Sequence, residues 1–191
     1  MNKYFIGSII TSLFFLVGCH SSDSISSSEL DEYVVSQTTD ETIQDDFIFR
    51  LVSEKKEYNE GEEVALYGEI EYIGEKDEVT IYHSSSAVLF PMEEKIRGYD
   101  IGFAVDDIGL STTLKQGEPY QEKYVKSGSY SPDQDPEDYV SFIRDFLNRD
   151  DFPSGYYVVG AYADFSVDAE ENEGSRERFK IEAAVDFKVI E

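Results

Sequence analysis

Apolar and polar residues alternate strictly in several short segments of this chain, and this pattern restricts the fold class. The segment "FKIEAAVDFKVI" near the end of the sequence has one apolar set, Ile181, Ala183, Val185, Phe187 and Val189. Because successive side chains of a β-strand point to opposite faces, the pattern predicts a strand with one buried face and one solvated face. The segments "FIFRLVS" from residue 47 and "VALYGEIEY" from residue 64 repeat this two-residue period.

Turn signals separate these apolar runs at short intervals. "NEGEE", "GEKDE" and "KQGEP" each combine glycine with charged residues between two predicted strands. Many short strands at such spacing are typical of an all-β sandwich. Residues 47–191 are sufficient for one domain with its own core, and the high content of Tyr and Phe favours strands. We therefore predict one antiparallel β-sandwich domain over residues 47–191.

One segment departs from the strand pattern. In "DPEDYVSFIRDFLNRDDFPSG", Asp135 is a suitable N-cap and Pro136 suits the first helical position. The apolar residues then recur at helical spacing: Tyr139, Phe142, Ile143, Phe146 and Leu147. The sequence predicts one inserted amphipathic helix at about 136–148, whose apolar side covers an open end or edge of the sandwich.

The start of the sequence indicates where the protein acts. Residues 1–18 have one positive charge followed by an apolar run, which is typical of a secretory signal peptide. The run ends "LVGC", which resembles the lipobox of bacterial lipoproteins. The resemblance implies that Leu16, Val17 and Gly18 form the signal-peptidase recognition site and that Cys19 carries the lipid. An uncleaved transmembrane anchor is the alternative, but the apolar run is short for a membrane-spanning helix.

The organisation after the signal peptide follows from composition. Residues 19–46 are rich in Ser, Thr, Asp and Glu, and we expect them to form a disordered tether between the lipid and the domain. If Cys19, the single cysteine of the sequence, carries the lipid, the domain has no thiol. It then has no disulfide and no cysteine nucleophile or metal ligand. The expected location is the cell membrane, on its extracytoplasmic face.

The block from residue 47 to residue 125 resembles a known family. Its segments "NEGEEV", "VTIYHSSS", "RGYDIGFAVDDIG" and "LKQGEP" are similar to the immunoglobulin-like intracellular proteinase inhibitor family of bacilli. The whole chain also resembles a group of lipoproteins from bacilli and related bacteria. These resemblances imply an immunoglobulin-like sandwich. Inhibition of a proteinase does not follow from the fold alone.

The charge of the chain excludes one class of partner. With 41 acidic and 16 basic residues, the formal net charge is -25. Such a chain repels nucleic acid, so we predict no nucleic-acid partner. The charge either attracts cations and basic partners or simply keeps the protein soluble.

Few residues point to chemistry. His83 precedes three serines, but neighbouring strand residues face opposite ways and no nucleophile elbow surrounds them. Among the acidic clusters, "DAEENEG" from Asp168 offers alternate oxygen ligands, yet Glu173 occupies the position where a calcium loop needs glycine. We therefore predict no catalytic residue, no metal site and no cofactor.

The sequence thus favours a non-enzymatic, membrane-anchored lipoprotein whose sandwich binds a protein or envelope partner. A proteinase inhibitor acting through the exposed loop 84–98 is the alternative, and a hydrolase is a more distant one. Phe90, Pro91 and Tyr99 are the predicted partner-contact residues, in or next to that loop.

Overall fold

A computed structural model of the protein describes residues 25–169 and 174–191. Two helices lie in these ranges, α1 (Ser27–Asp31) and α2 (Glu137–Asn148). The strands are β1 (Thr39–Gln44), β2 (Phe47–Ser53), β3 (Glu57–Asn59), β4 (Leu66–Tyr72), β5 (Glu78–His83), β6 (Val88–Leu89), β7 (Met92–Glu94), β8 (Tyr99–Ile101), β9 (Leu110–Lys115), β10 (Tyr120–Lys123), β11 (Gly155–Asp168) and β12 (Arg176–Ile190).

The strands form two sheets. The first is antiparallel, with the order β1-β2-β4-β10. The second has the order β3-β12-β11-β5-β9; β6 and β7 also pair with β11, and β8 pairs with β7. Its pairings are antiparallel except that of β3 with β12, which is parallel. The sheets pack as a sandwich, so the predicted all-β sandwich with one inserted amphipathic helix is confirmed.

The core lies between the inner faces of the two sheets. Phe47 of β2 meets Phe165 of β11 and Phe179 of β12, each at a ring-centroid distance of 4.9 Å. Such edge-on aromatic contacts add to the free energy gained by burying the rings. The apolar residues predicted for the inner face of β12 are buried as expected.

The outer face of β12 differs from the prediction near its C-terminal end. Asp186 and Lys188 were expected to face solvent, but they are only 5% and 8% exposed. The backbone N–H of Asp186 donates to Gln37 O, and that of Lys188 donates to Lys56 O. The segments before β1 and β3 therefore cover this end of β12.

The prediction that residues 19–46 form a disordered tether is wrong for residues 25–46. α1 buries Leu30, and β1 extends the first sheet by pairing with β2. The Asp40 carboxylate also accepts a hydrogen bond of 2.8 Å from the N–H of Ala184 on β12. Hydrogen bonds of the backbone and of short polar side chains hold this segment on the domain. Because it needs few apolar residues to do so, its composition resembles that of a disordered chain.

The predicted helix at 136–148 is confirmed as α2, although its N-cap is not. Asp135 accepts a hydrogen bond of 2.6 Å from the N–H of Ser131, and Pro136 occupies the N-cap position without a side-chain hydrogen bond. The helix buries four residues, Val140, Phe142, Ile143 and Phe146. Within the described ranges, neither helix is long and apolar enough to cross a membrane.

A lysine from the segment after β10 closes the C-terminal end of α2. Lys126 Nζ donates to Phe146 O at 2.7 Å and to Arg149 O at 2.9 Å, and it also donates to Asp151 O. The last carbonyl groups of a helix lack intrahelical donors, so the ammonium group satisfies them. Burial lowers the pKa of Lys126 to about 8, which leaves the amine mostly protonated at neutral pH.

Candidate functional site

Four predicted functional residues precede the described part of the chain. Cys19, the predicted lipid-bearing residue, lies outside the described residues, as do Leu16, Val17 and Gly18 of the recognition site. Lipidation and processing therefore stay predictions.

The segment 84–98 is not an exposed loop. It contains β6 and β7, which both pair with β11. Phe90 is 1% exposed and packs edge-on against Phe103 and Tyr124, so the prediction that it contacts a partner is wrong. Pro91 is half-buried, and its carbonyl accepts the N–H of Gly160. Much of this segment is therefore part of the second sheet.

His83 does not contact the hydroxyl groups of the nearby serines as a base would. Its Nδ1 lies 2.8 Å from Ser84 O, and its Nε2 lies 2.9 Å from Thr112 Oγ1. The Ser84 hydroxyl donates to Ser86 O, and the Ser86 hydroxyl donates to the Glu122 carboxylate. The imidazole bridges β5 and β9, as a hydrogen-bonded histidine at the end of a strand.

A cavity of about 480 Å³ beside His83 is lined in part by Tyr82 and Arg176, which contact each other. The Arg176 guanidinium lies 3.5 Å from the centroid of the Tyr82 ring, and its Nε lies 3.5 Å from Asp168 Oδ1. The Tyr82 hydroxyl donates to the same carboxylate at 3.0 Å. Arg176, Tyr82 and Asp168 therefore already serve one another as partners within the chain.

The acidic clusters do not form a metal site in the part of the chain that the structure describes. No group of three or more His, Cys, Asp or Glu side chains is arranged there to hold a metal ion. Of the cluster that begins at Asp168, residues 170–173 lie outside the described ranges.

A second cavity, of about 660 Å³, lies between β8 and the start of α2. We call it the tyrosine groove, and it is defined by five of its lining residues, Tyr99, Asp100, Tyr130, Asp135 and Tyr139. β8 supplies the first two and α2 supplies the last. The other two lie in the segment that precedes α2.

Tyr139 joins the two walls of the tyrosine groove. Its ring meets Tyr99 edge-on, with centroids 5.4 Å apart. Its hydroxyl donates to Asp100 O at 2.9 Å, so α2 is fixed to β8. Burial raises the pKa of the Tyr139 hydroxyl, and this group therefore remains a donor at neutral pH.

A buried carboxylate holds the turn that carries Tyr99. Glu94, with no exposed surface, accepts the N–H groups of Ile96, Arg97 and Tyr156 at 3.1, 2.9 and 3.2 Å. The Arg97 guanidinium lies 3.3 Å from the same carboxylate. Because a buried charge needs such partners, this network fixes the turn, and it presents the tyrosine groove on a rigid frame.

The tyrosine groove is negatively charged. Asp100 is exposed and Asp135 is half-buried, and the lining residues include no lysine or arginine. Asp138 lies in the adjacent first turn of α2. Hydrogen bonds from the Tyr99 side chain and then from the Tyr139 N–H lower its pKa, so it is ionised at neutral pH. Aromatic rings and carboxylates therefore lie side by side on an open surface.

Sequence reasoning found only part of this site. It selected Tyr99, but grouped it with Phe90, which is buried. It assigned Tyr139 to the apolar stripe of the helix and did not select Tyr130. The cluster of Asp and Tyr residues in "SYSPDQDPEDY" is the signal that was available, but nothing in it shows that β8 packs beside the helix.

No protein-family model matches the chain, and neither a curated protein nor a solved structure is significantly similar to it.

Proposed function

We propose that this chain is a non-enzymatic lipoprotein, anchored to the extracytoplasmic face of the cell membrane, whose sandwich binds a protein or envelope partner. The resemblance of residues 16–19 to a lipobox supports the anchor. The tyrosine groove carries the binding role, because it combines half-buried rings with carboxylates on a rigid frame. Sites of this kind, aromatic with a few convergent polar groups, are typical of binding surfaces.

The packed N-terminal segment supports a short connection to the membrane. Ile25 is 7% exposed and follows Cys19 by six residues. A chain of that length reaches at most ~20 Å. A lipid on Cys19 would therefore hold the α1 end of the sandwich close to the bilayer, instead of letting the domain move freely on a long tether.

The segment that follows α1 contacts the turn that leads into the tyrosine groove. The Tyr33 hydroxyl, shortly after α1, is 3.5 Å from Lys95 O in the turn between β7 and β8. That turn leads directly into Tyr99. We infer that the partner is met near the membrane surface.

A photo-crosslinking residue in place of Ser129, an exposed lining residue of the tyrosine groove, tests this function. The photo-crosslinking residue is introduced into the lipidated full chain in native cells. Thr113, exposed on edge strand β9, is the control position. We expect a discrete crosslinked product from position 129 alone. The purified captured partner should then bind the purified protein.

Two results would oppose the proposal. Equal products from positions 129 and 113 would indicate unspecific crowding at the surface. Absence of any product from position 129, with the protein normally located, would remove the groove as the binding site.

A further inference from the structure

We propose that the tyrosine groove takes a lysine or arginine side chain of a basic peptide segment in the partner. This inference rests on the proposed binding function and adds the chemistry of the ligand. Ammonium and guanidinium groups are attracted to the faces of aromatic rings, and carboxylates beside the rings strengthen that attraction. The groove offers Tyr99, Tyr130 and Tyr139 together with Asp100 and Asp135.

Helix N-termini often bind anions, but acidic side chains of the chain itself lie at the start of α2. The N–H of Tyr139 donates to Asp138 Oδ1 at 2.9 Å, and the N–H of Val140 donates to Pro136 O. The N–H of Ser131 is likewise used by Asp135. Asp138 thus accepts one N–H group of the first turn, and Glu137 adds a second acidic side chain at this end of the helix.

One cation of the protein already lies over Tyr130, a ring of the tyrosine groove, and another lies over Phe142, beside the groove. The Arg144 guanidinium is 5.6 Å from the centroid of Tyr130, and that of Arg97 is 5.2 Å from Phe142. The cavity itself has no basic lining residue to fill this role. A cation from a partner would supply a positive charge among the rings and carboxylates that line the cavity.

The size of the cavity favours a peptide over a small ion. A volume of about 660 Å³ exceeds what one ammonium group fills, so backbone on either side of the basic residue can enter as well. The net charge of -25 also attracts basic segments over distances longer than contact. Both observations point to a basic peptide segment.

The test measures binding of a short fluorescein-labelled peptide of alternating lysine and glycine by fluorescence anisotropy at physiological salt. A peptide with glutamine in place of lysine is the ligand control. Tyr130→Leu and Asp100→Asn alter the tyrosine groove. The matched variants Tyr162→Leu, on the outer face of β11, and Asp77→Asn, in the exposed turn before β5, alter the same residue types elsewhere.

We expect each variant of the tyrosine groove to weaken binding of the lysine peptide by about threefold or more, as loss of a cation–π contact or its neighbouring charge implies. The matched variants should bind like the unaltered protein. Equal weakening by all four variants would overturn the proposal in favour of a general charge effect. The proposal would also be overturned if the glutamine peptide bound as tightly as the lysine peptide, or if the lysine peptide did not bind. Binding of tetramethylammonium without binding of the lysine peptide would overturn it as well.

The two proposals fail separately. If the partner captured from position 129 binds the Asp100→Asn variant and the unaltered protein equally well, the binding function stands and the cation inference is wrong. If position 129 captures no partner, the binding function fails whatever the lysine peptide does.

Discussion

Asp186 and Gln37 are joined by two reciprocal hydrogen bonds. The Asp186 Oδ1 accepts the N–H of Gln37 at 2.8 Å, and the N–H of Asp186 donates to Gln37 O at 2.9 Å. Asp186 Oδ2 also accepts the N–H of Ser36 at 2.7 Å and the hydroxyl of Tyr156 at 2.6 Å. One buried carboxylate therefore fixes the segment between α1 and β1 on the outer side of β12.

Replacing this carboxylate should destabilise the domain. Asp186→Asn leaves one acceptor oxygen for three donors and turns an amide N–H₂ group toward the others, so we expect a loss of about 2 kcal/mol. Urea unfolding measures this change. The matched control is Asp168→Asn, whose side chain is 69% exposed, with an expected change below about 0.5 kcal/mol. Equal effects at both positions would contradict the packing of the N-terminal segment.

The close approach of the two sheets depends on a glycine. A Cβ atom at Gly68 on β4 would lie 2.8 Å from Val88 Cγ1 and 3.0 Å from Phe49 Cε2. We expect Gly68→Ala to cost about 1–3 kcal/mol, because the added methyl group forces packed neighbours apart. At Gly160, where no heavy atom lies within 4 Å of the added Cβ, the same change should be neutral or slightly stabilising. Thermal unfolding of the two variants compares them, and similar melting temperatures would contradict this packing.

The ion pair of Arg149 with Asp151 predicts a pH dependence. The guanidinium donates to Asp151 Oδ1 at 2.8 Å and Oδ2 at 2.7 Å, and this lowers the pKa of Asp151 from 3.8 to about 2. Since the folded pKa lies below the unfolded one, the stabilisation is complete above about pH 4 and is lost as the pH falls toward 2.

Asp151→Asn should therefore cost about 1–2 kcal/mol at neutral pH, allowing for partial solvent screening. The difference from the unaltered protein should shrink between about pH 4 and pH 2. Urea unfolding over this range measures it, with Asp150→Asn, an exposed neighbour, as the control. A difference that does not change with pH would show that the ion pair contributes nothing.

Calcium should have no specific effect on stability. The acidic side chains in the described ranges form no group arranged to hold a metal, and scattered carboxylates respond mainly to screening. We expect millimolar calcium chloride to change Tm no more than magnesium chloride at equal ionic strength. A rise of many degrees with calcium alone, abolished by Asp168→Asn, would contradict this expectation.

The sequence predicts the parts of the fold that rely on apolar periodicity. Ile181 and Val185 alternate with polar residues, and Phe142 and Phe146 recur at helical spacing, so both β12 and α2 are evident. β1 has no such pattern. Hydrogen bonds of its backbone and of short polar side chains, not apolar burial, keep it on the domain. A polar composition then looks the same in a disordered chain and in an ordered edge strand.

The sequence does not predict the tyrosine groove, for a different reason. Tyr99 and Tyr139 lie far apart in sequence, and the packing of α2 beside β8 brings them together. The position of Asp135 before Pro136 predicts a helix cap, whereas its carboxylate accepts a hydrogen bond from the N–H of Ser131 instead. A local cluster of Asp, Pro and Ser residues indicates a polar turn. It does not indicate which strand or helix that turn packs against.

The N-terminal peptide of the protein extracted from cell membranes tests the account most directly. Mass spectrometry should find Cys19 as the first residue, with a diacylglyceryl group on its sulfur, and Cys19→Ala should leave residues 1–18 attached and the chain unlipidated. An unmodified Cys19 within an uncleaved chain, or normal processing and membrane fractionation of Cys19→Ala, would contradict the proposed lipoprotein.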